Sequence, residues 1–420
     1  MGFQQGLSGL NGASKGLDVV GNNIANASTV GFKTSQAHFA DVYANSLGGS
    51  GANQVGIGTN VMAVAQEFTQ GNVTTTNNPL DMAINGQGFF RMSENGTITY
   101  ARNGQFHMDR SGYIIDDANR RLTGYPVDAT GNIVQAAPVD LQVVAGTLNP
   151  QATAQTGISV NLDARSAPVA AVFNPNDPTT FTTSTSMSTY DSLGFAHTVS
   201  IYFAKTAAVN GWNTYATVDG TAVGNVNLGA GAGNPAALAF NSSGALTSGM
   251  PLNMSIDLNA VATALGTVNG ATSPMAFTLD FGGSTQFGSV FGVNSLTQDG
   301  YASGQLAGIA IGGDGVILGR YSNGRSNPLG QVVLANFNNA NGLAPLGGNQ
   351  FAETSESGLP QVGAPGSSNL GVLQSAAVEE SNIDLTAELV EMIIFQRVYQ
   401  ANAQTIKTQD SILQTLVNIR

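Results

Sequence analysis

No cysteine occurs among the 420 residues, which excludes disulfides, thiolate metal sites and cysteine nucleophiles. Charge is scarce as well. Only 10% of residues are Asp, Glu, Lys or Arg, yet the mean hydropathy is close to zero, so solubility rests on Asn, Gln, Ser, Thr and Gly. The lysines are Lys15, Lys33, Lys205 and Lys407, no Lys/Arg-rich run exists, and the formal net charge is -12. That balance argues against nucleic acid and anionic membrane surfaces as partners. No apolar run reaches the roughly 20 residues that span a bilayer as a helix. The N-terminal stretch MGFQQGLSGLNGASKG has neither a basic n-region nor an apolar h-region. If the chain leaves the cell, the expectation is a route that needs no cleaved signal.

What is abundant is glycine, 53 residues, well above the usual share of about 7%. Most of the chain is therefore expected in turns and strands, and its length allows two or three domains. The two ends differ from this body. Phe3, Gly6, Leu10, Ala13, Leu17, Val20, Ile24 and Ala27 recur at alternating spacings of three and four, the seam of a helix packing against helices. This predicts a helix from about Gln4 to Ala27, ending near Thr29-Val30-Gly31. Residues 384–420 carry no Gly or Pro and predict one helix of about 35 residues, roughly 50 Å long. Ser381, Asn382 and Asp384 are N-cap candidates, and acidic residues precede basic ones along it, as the macrodipole favours. Leu385, Leu389, Met392, Tyr399, Ala403, Ile406, Leu413 and Val417 form one stripe; Phe395, Val398, Ile412, Leu416 and Ile419 add a second flank. Two arrangements stay open: an intramolecular bundle, or burial against neighbouring subunits. The second flank favours the latter. Ends that bury little alone are expected to be mobile in a monomer and to order on assembly.

Between the helices the pattern is β. Residues 31–70 lack a clear period; Phe32, Phe39, Val42 and Tyr43 suggest a short amphipathic turn or two, and Leu47-Gly48-Gly49-Ser50-Gly51 a loop. From about residue 71, Leu80, Met82 and Ile84 alternate with polar or small residues, predicting a strand with one apolar face. Asn85-Gly86, Asn95-Gly96 and Asn103-Gly104 are hairpin-turn signals. Residues 145–300 turn rich in Ala, Thr, Asn and Gly but keep strand signals at 197–203 and 277–281, which predicts a second β domain inserted into the first. Gly313-Asp314-Gly315 and Ser322-Asn323-Gly324 then resume the turn chemistry of the first.

Enzyme and cofactor signatures are not evident. His38, His107 and His197 fall in different units, far from a ligand cluster. Gly229, Gly231 and Gly233 miss the dinucleotide spacing, and no Lys follows a Gly as a phosphate loop needs. Asp116-Asp117 and Glu379-Glu380 are carboxylate pairs beside a turn and a helix start, where solvation and dipole roles are expected. Phe89 and Phe90 face opposite sides of a strand, one expected in the core and one at an interface. No cofactor and no metal are expected.

Several blocks match a known family. NNIANASTVGFK (22–33), LDMAINGQGFF (80–90) and RNGQFHMDRSGYI (102–114) resemble the conserved blocks of the bacterial flagellar rod and hook axial proteins. The run 381–420, with 321–343 and 190–203, is similar to the hook branch of that family. The resemblance covers both ends and the inner β region and is thinner over 145–300. It implies a structural, non-enzymatic subunit that polymerises with itself into a short curved tube, a universal joint carrying torque from motor and rod to filament. It also implies passage through the flagellar type III export apparatus, and contacts with a hook-capping protein, the distal rod protein and a hook–filament junction protein. A distal rod subunit is the nearest alternative, although rod proteins lack a large insert. A secreted β-rich adhesin is the alternative from another class, and it leaves the paired helices unexplained.

The expected fold is mixed and mainly β, with paired terminal helices forming a coiled-coil-like inner domain and nested outer β domains. Its parts are 1–30 with 380–420 (helical core), 31–70 with 360–379 (extended connection), 71–144 with 301–359 (inner β) and 145–300 (outer β). The subunit-contact candidates are Phe3, Leu10, Leu17, Val20, Asn22, Asn23, Ile24, Asn26, Gly31 and Phe32 at one end. At the other they are Leu385, Leu389, Met392, Phe395, Tyr399, Ile406, Leu413, Leu416 and Val417.

Overall fold

The computed structural model describes residues 2–42, 56–128, 131–144, 146–247, 251–268 and 270–418. Tyr43 and the expected loop at 47–51 lie outside them. The chain is mainly β with helical ends and divides into two compact units. One comprises Met1–Ala145, Ala307–Arg320 and Ser326–Arg420; the other comprises Gly146–Leu306 with Tyr321–Arg325.

The first unit carries the terminal helices α1 (Gly2–Ala25) and, at the far end of the chain, α3 (Leu385–Asn418), while α2 (Leu258–Leu265) belongs to the second unit. Asp384 caps α3, its Oδ1 accepting from the backbone N–H groups of Thr386 and Ala387 at 2.9 and 3.2 Å. After α1 the chain forms a hairpin of β1 (Ser35–Val42) and β2 (Gly58–Gln66), antiparallel throughout. This corrects the expected amphipathic turns. The apolar residues of 32–42 follow no helical period because they meet α1 and α3 from a two-stranded ribbon. Phe39, for example, touches Phe395 ring to ring at 6.2 Å.

The strands β3 (Val73–Thr75), β4 (Met82–Asn85), β5 (Phe89–Glu94) and β6 (Thr97–Ala101) follow. Asn95-Gly96 closes the β5–β6 hairpin with both residues at positive φ, 51° and 89°, as a tight hairpin turn demands. The other two Asn-Gly signals do not close hairpins. β4 pairs instead with Val372–Ser375, nearly 300 residues further along, and Gly104 is needed for close approach, since a Cβ there would collide with the Met82 carbonyl. β4 also has no solvent face: Met82, Ala83 and Ile84 are all fully buried, so the alternation in its sequence does not mark an outside. Phe89 and Phe90 are likewise both core. Phe89 meets Phe68, Phe337 and Phe351 on one side, and Phe90 meets Phe106 at 5.2 Å on the other, which corrects the expectation that one would lie at an interface.

The second unit is a two-sheet sandwich. An antiparallel sheet of Thr183–Tyr190, Ala196–Lys205, Gly211–Val218 and Ala236–Ala239 faces a mixed sheet. In that mixed sheet Gln155–Asp163 pairs in parallel with Met275–Asp280 and antiparallel with Gly292–Gln298. Both inner faces feed one core containing Val160, Ile201, Phe203, Trp212, Leu279 and Phe281. The Trp212 indole N–H, buried there, donates to Gln286 Oε1 at 3.1 Å, which removes the cost of burying it unpaired.

Candidate assembly surface

The helices α1 and α3 run antiparallel. Along the pair Gly6 faces Ile406, Gly9 faces Asn402, Gly16 faces Phe395 and Asn23 faces Glu388, one number rising as the other falls. A Cβ at Gly16 would lie 2.5 Å from Phe395 Cε1, and one at Gly9 would lie 2.7 Å from the Asn402 amide. Glycine therefore sets the spacing of the axes, because only a helix face without side chains admits a phenylalanine ring at this range.

The seam of α1 that meets α3 thus runs through Gly6, Gly9, Ala13, Gly16, Val20 and Asn23, all buried except the half-buried Gly9. It is rotated from the expected one, leaving Leu10, Leu17 and Ile24 half-buried at its flank and Phe3 exposed. The small-residue row at spacings of three and four was visible in the sequence; ranking by hydrophobicity alone passes over it. The expectation that the ends bury little within one chain is corrected for α1, whose two sides are covered by α3 and by the β1–β2 hairpin. Gly12, for instance, sits against Thr59 and Phe39.

Asn23 ties three elements together. Its Nδ2 donates to the Ser35 carbonyl (2.8 Å) and to Glu388 Oε1 (3.0 Å), and its Oδ1 accepts from the Ser35 N–H (3.0 Å). Glu388 is buried with Oε2 unpartnered. Desolvation raises its pKa above the usual glutamate value; the Asn23 hydrogen bond opposes this, and Glu391 and Glu67 add to it.

Below the helices the chain ends are laced together. Asn26 closes the last turn through the Asn22 carbonyl, and Asn22 itself is exposed. Gly31, at φ 71°, donates its N–H to the Glu379 carbonyl at 2.8 Å, and a Cβ there would lie 2.5 Å from the Asn103 backbone nitrogen. Phe32 is half-buried. Thr34 N–H donates to Asn382 Oδ1 at 2.8 Å, while Asn382 Nδ2 donates to the Glu67 carbonyl at 2.8 Å. Lys33 Nζ lies 2.6 Å from Glu379 Oε1, with both side chains fully buried. The solvated role expected for Glu379-Glu380 holds only for Glu380. Glu379 is interior because the strand Ala377–Glu379 pairs with β3 beneath the helix entry. No local sequence signal marks it.

The remaining face of α3 is uncovered. Leu389, Val390, Ile393, Ile394 and Val398 are 42–53% exposed, and Leu385 and Tyr399 lie beside them. With this register α1 begins opposite residue 409 or so, leaving the last turns of α3 without a partner helix; Ile412, Leu413 and Val417 are 48–74% exposed there. Met392, Phe395 and Ile406 face inward and are partly buried. Leu416 falls on α3, but its side chain is outside the described set. Among the described residues no helix is long and apolar enough to cross a membrane.

An antiparallel pair of terminal helices carrying an uncovered apolar face, with β units between them in the sequence, is matched along its length by models of flagellar axial proteins. Family models for the flagella basal body rod protein match residues 3–33, and for the flagellar basal body rod FlgEFG protein C-terminal region residues 374–419. Models for the flagellar hook protein FlgE/F/G D1 domain and the flagellar basal body protein FlaE D2 domain match 83–171 and 161–301. The chain is 40% identical to the flagellar hook protein FlgE of Escherichia coli (strain K12) over the whole of both chains. It is 33% identical to that of Borreliella burgdorferi over 99% of this chain and 98% of the relative. The chain belongs to the flagellar hook protein family, a structural family and not an enzyme one. The crystal structure of Helicobacter pylori flagellar hook protein FlgE2 shares its fold over 73% of this chain and all of that one, with TM-score 0.53 and 14% identity.

Proposed function

We propose that this chain is the structural subunit of a flagellar hook, polymerising with copies of itself into a curved, flexible tube that transmits torque from the rod to the filament. The observation carrying this reading is the uncovered apolar face of α3. A contiguous apolar face left uncovered marks a contact surface, and a head-to-tail contact that does not close on itself generates an open helical tube.

In this reading 1–30 and 380–420 form the helical core, 31–70 and 360–379 connect it outward, 71–144 and 301–359 form the inner β domain, and 145–300 the outer one. Phe3, Asn22, Leu385, Leu389, Tyr399, Leu413 and Val417 meet neighbouring copies directly, while Val20, Asn23, Gly31, Met392, Phe395 and Ile406 hold the helix pair in shape. Export proceeds by the flagellar type III apparatus, placing the subunit outside the cell. There it meets a hook-capping protein, the distal rod protein below and a hook–filament junction protein above. The scarcity of charge on 145–300 suits outer surfaces that slide past each other as the tube bends, since no strong ion pair locks one register.

The test is to induce polymerisation of the purified chain and of a variant lacking residues 1–30, with electron microscopy as readout. Curved tubes from the full chain and none from the truncation are expected. Straight tubes would point to a rod subunit, and absence of any ordered polymer from the full chain would sink the assembly reading.

A further inference from the structure

Lys33 and Arg102 share one carboxylate. Lys33 Nζ lies 2.6 Å from Glu379 Oε1 and Arg102 Nε 3.7 Å from Oε2, with side chains no more than 3% exposed. Among the described residues no second carboxylate comes within 4.0 Å of either cation. Two cations and one anion leave an excess positive charge in the interior, an arrangement that is costly unless a counter-charge reaches it. Burial is the leading influence on both cations and pulls both pKa values down. A guanidinium nonetheless keeps its proton.

The uncompensated side is that of Arg102. Its Nη2 donates to the Gly86 carbonyl at 2.8 Å and its Nε faces Glu379 Oε2 at 3.7 Å, beyond hydrogen-bond range, while Nη1, also buried, has no hydrogen-bond partner. Arg102 lines a cavity of about 240 Å³ walled by Phe68, Phe89 and Phe337, with Gln87 and Asn338 exposed at its rim. The guanidinium carbon sits 5.8 Å from the centre of the Phe89 ring, which helps to hold the fork in place. A buried guanidinium with an unused Nη1 donor in an aromatic-walled, amide-rimmed cavity suits an anionic oxygen such as that of a carboxylate. The chain itself has Asp and Glu in excess, 26 against 14 Lys and Arg, so a neighbouring copy brings more carboxylates than cations.

We propose that this cavity is a carboxylate-binding site, filled in the polymer by an acidic side chain of a neighbouring copy. The inference rests on the assembly reading for the source of the carboxylate, not for its recognition. In the free subunit the site is short of an anion; docking of a neighbour supplies it, so that the charge balance of the inner unit is completed only on assembly.

The test uses the full chain and Asn338→Asp, which places a carboxylate at the rim while keeping the oxygen that accepts from Gln361 Nε2 at 3.1 Å. Asn338 is exposed, so the variant folds. In the first arm the melting midpoint of the monomer is compared in acetate and chloride at equal ionic strength. Acetate is expected to raise the wild-type midpoint by on the order of 2 °C and to raise that of Asn338→Asp less, since the carboxylate at the rim repels the incoming anion. In the second arm the critical concentration for polymerisation is measured by sedimentation. Asn338→Asp is expected to raise it about tenfold, since a like charge now meets the incoming side chain. No acetate increment in the wild type would overturn carboxylate recognition. An increment with an unchanged critical concentration would mean that the site takes free carboxylates and not a neighbour's, overturning the assigned source. Failure of the wild type to polymerise would sink the assembly reading, and the neighbour with it, while the first arm still decides recognition.

Discussion

Glu388 shows how one buried carboxyl couples helix pairing to pH. Its pKa is raised by desolvation, with Glu391 and Glu67 adding repulsion. A carboxyl whose folded pKa exceeds its unfolded one favours the folded state when protonated. Its contribution is therefore complete below the unfolded value, 4.5, and is lost as pH rises through the raised folded one. Glu388→Gln keeps the oxygen that accepts from Asn23 and removes the charge. The variant is expected to melt above the wild type at pH 7, and the gap is expected to close as pH falls toward 4, measured as paired midpoints across that range. Glu379 shows the converse. It reads in sequence as half of a solvated acidic pair, yet it is the counter-ion of Lys33, 346 residues away. Nothing near either residue could announce that, because the desolvation that makes the pair matter is created by other strands.

Among the elements, α1 depends on a face with almost no side chains. Gly16→Val would drive two methyl groups into the Phe395 ring, which already lies 2.5 Å from where a Cβ would stand. The expected cost is about 1–3 kcal/mol, read as a lower melting midpoint by helix-sensitive circular dichroism. Gly21 is the control on the same helix. A Cβ there meets nothing within 4 Å, so Gly21→Ala should gain about 0.5–1 kcal/mol from helix propensity. The β1–β2 hairpin completes this layer, and its strands were illegible because they carry apolar residues on no regular period: they serve two helices at once.

Each of the two units has a core of its own, and the single tryptophan, Trp212, sits in that of the second. Fluorescence therefore reports that unit alone, whereas the long helices α1 and α3 belong to the first. A fragment of residues 146–306 is expected to unfold cooperatively, with a Trp212 midpoint within a few degrees of that in the full chain. A fragment with no cooperative fluorescence transition would show that the sandwich of Val160, Phe203 and Leu279 cannot stand alone, against the expectation for a unit with its own core.

Local physical rules made much of this protein legible. A seam at spacings of three and four announced the N-terminal helix and the lack of Gly and Pro the C-terminal one, Asp384 was among the candidates for the start of α3, and Asn95-Gly96 announced a hairpin. Each depends on residues within a turn or two of one another. The glycine face turned to α3, the pairing of β4 with Val372–Ser375, and the enclosure of Glu379 with two cations depend instead on segments far apart in the chain. A hydrophobic period says that a face must be covered, but the covering element is chosen by packing and desolvation, which exist only once the distant strands and helices have met.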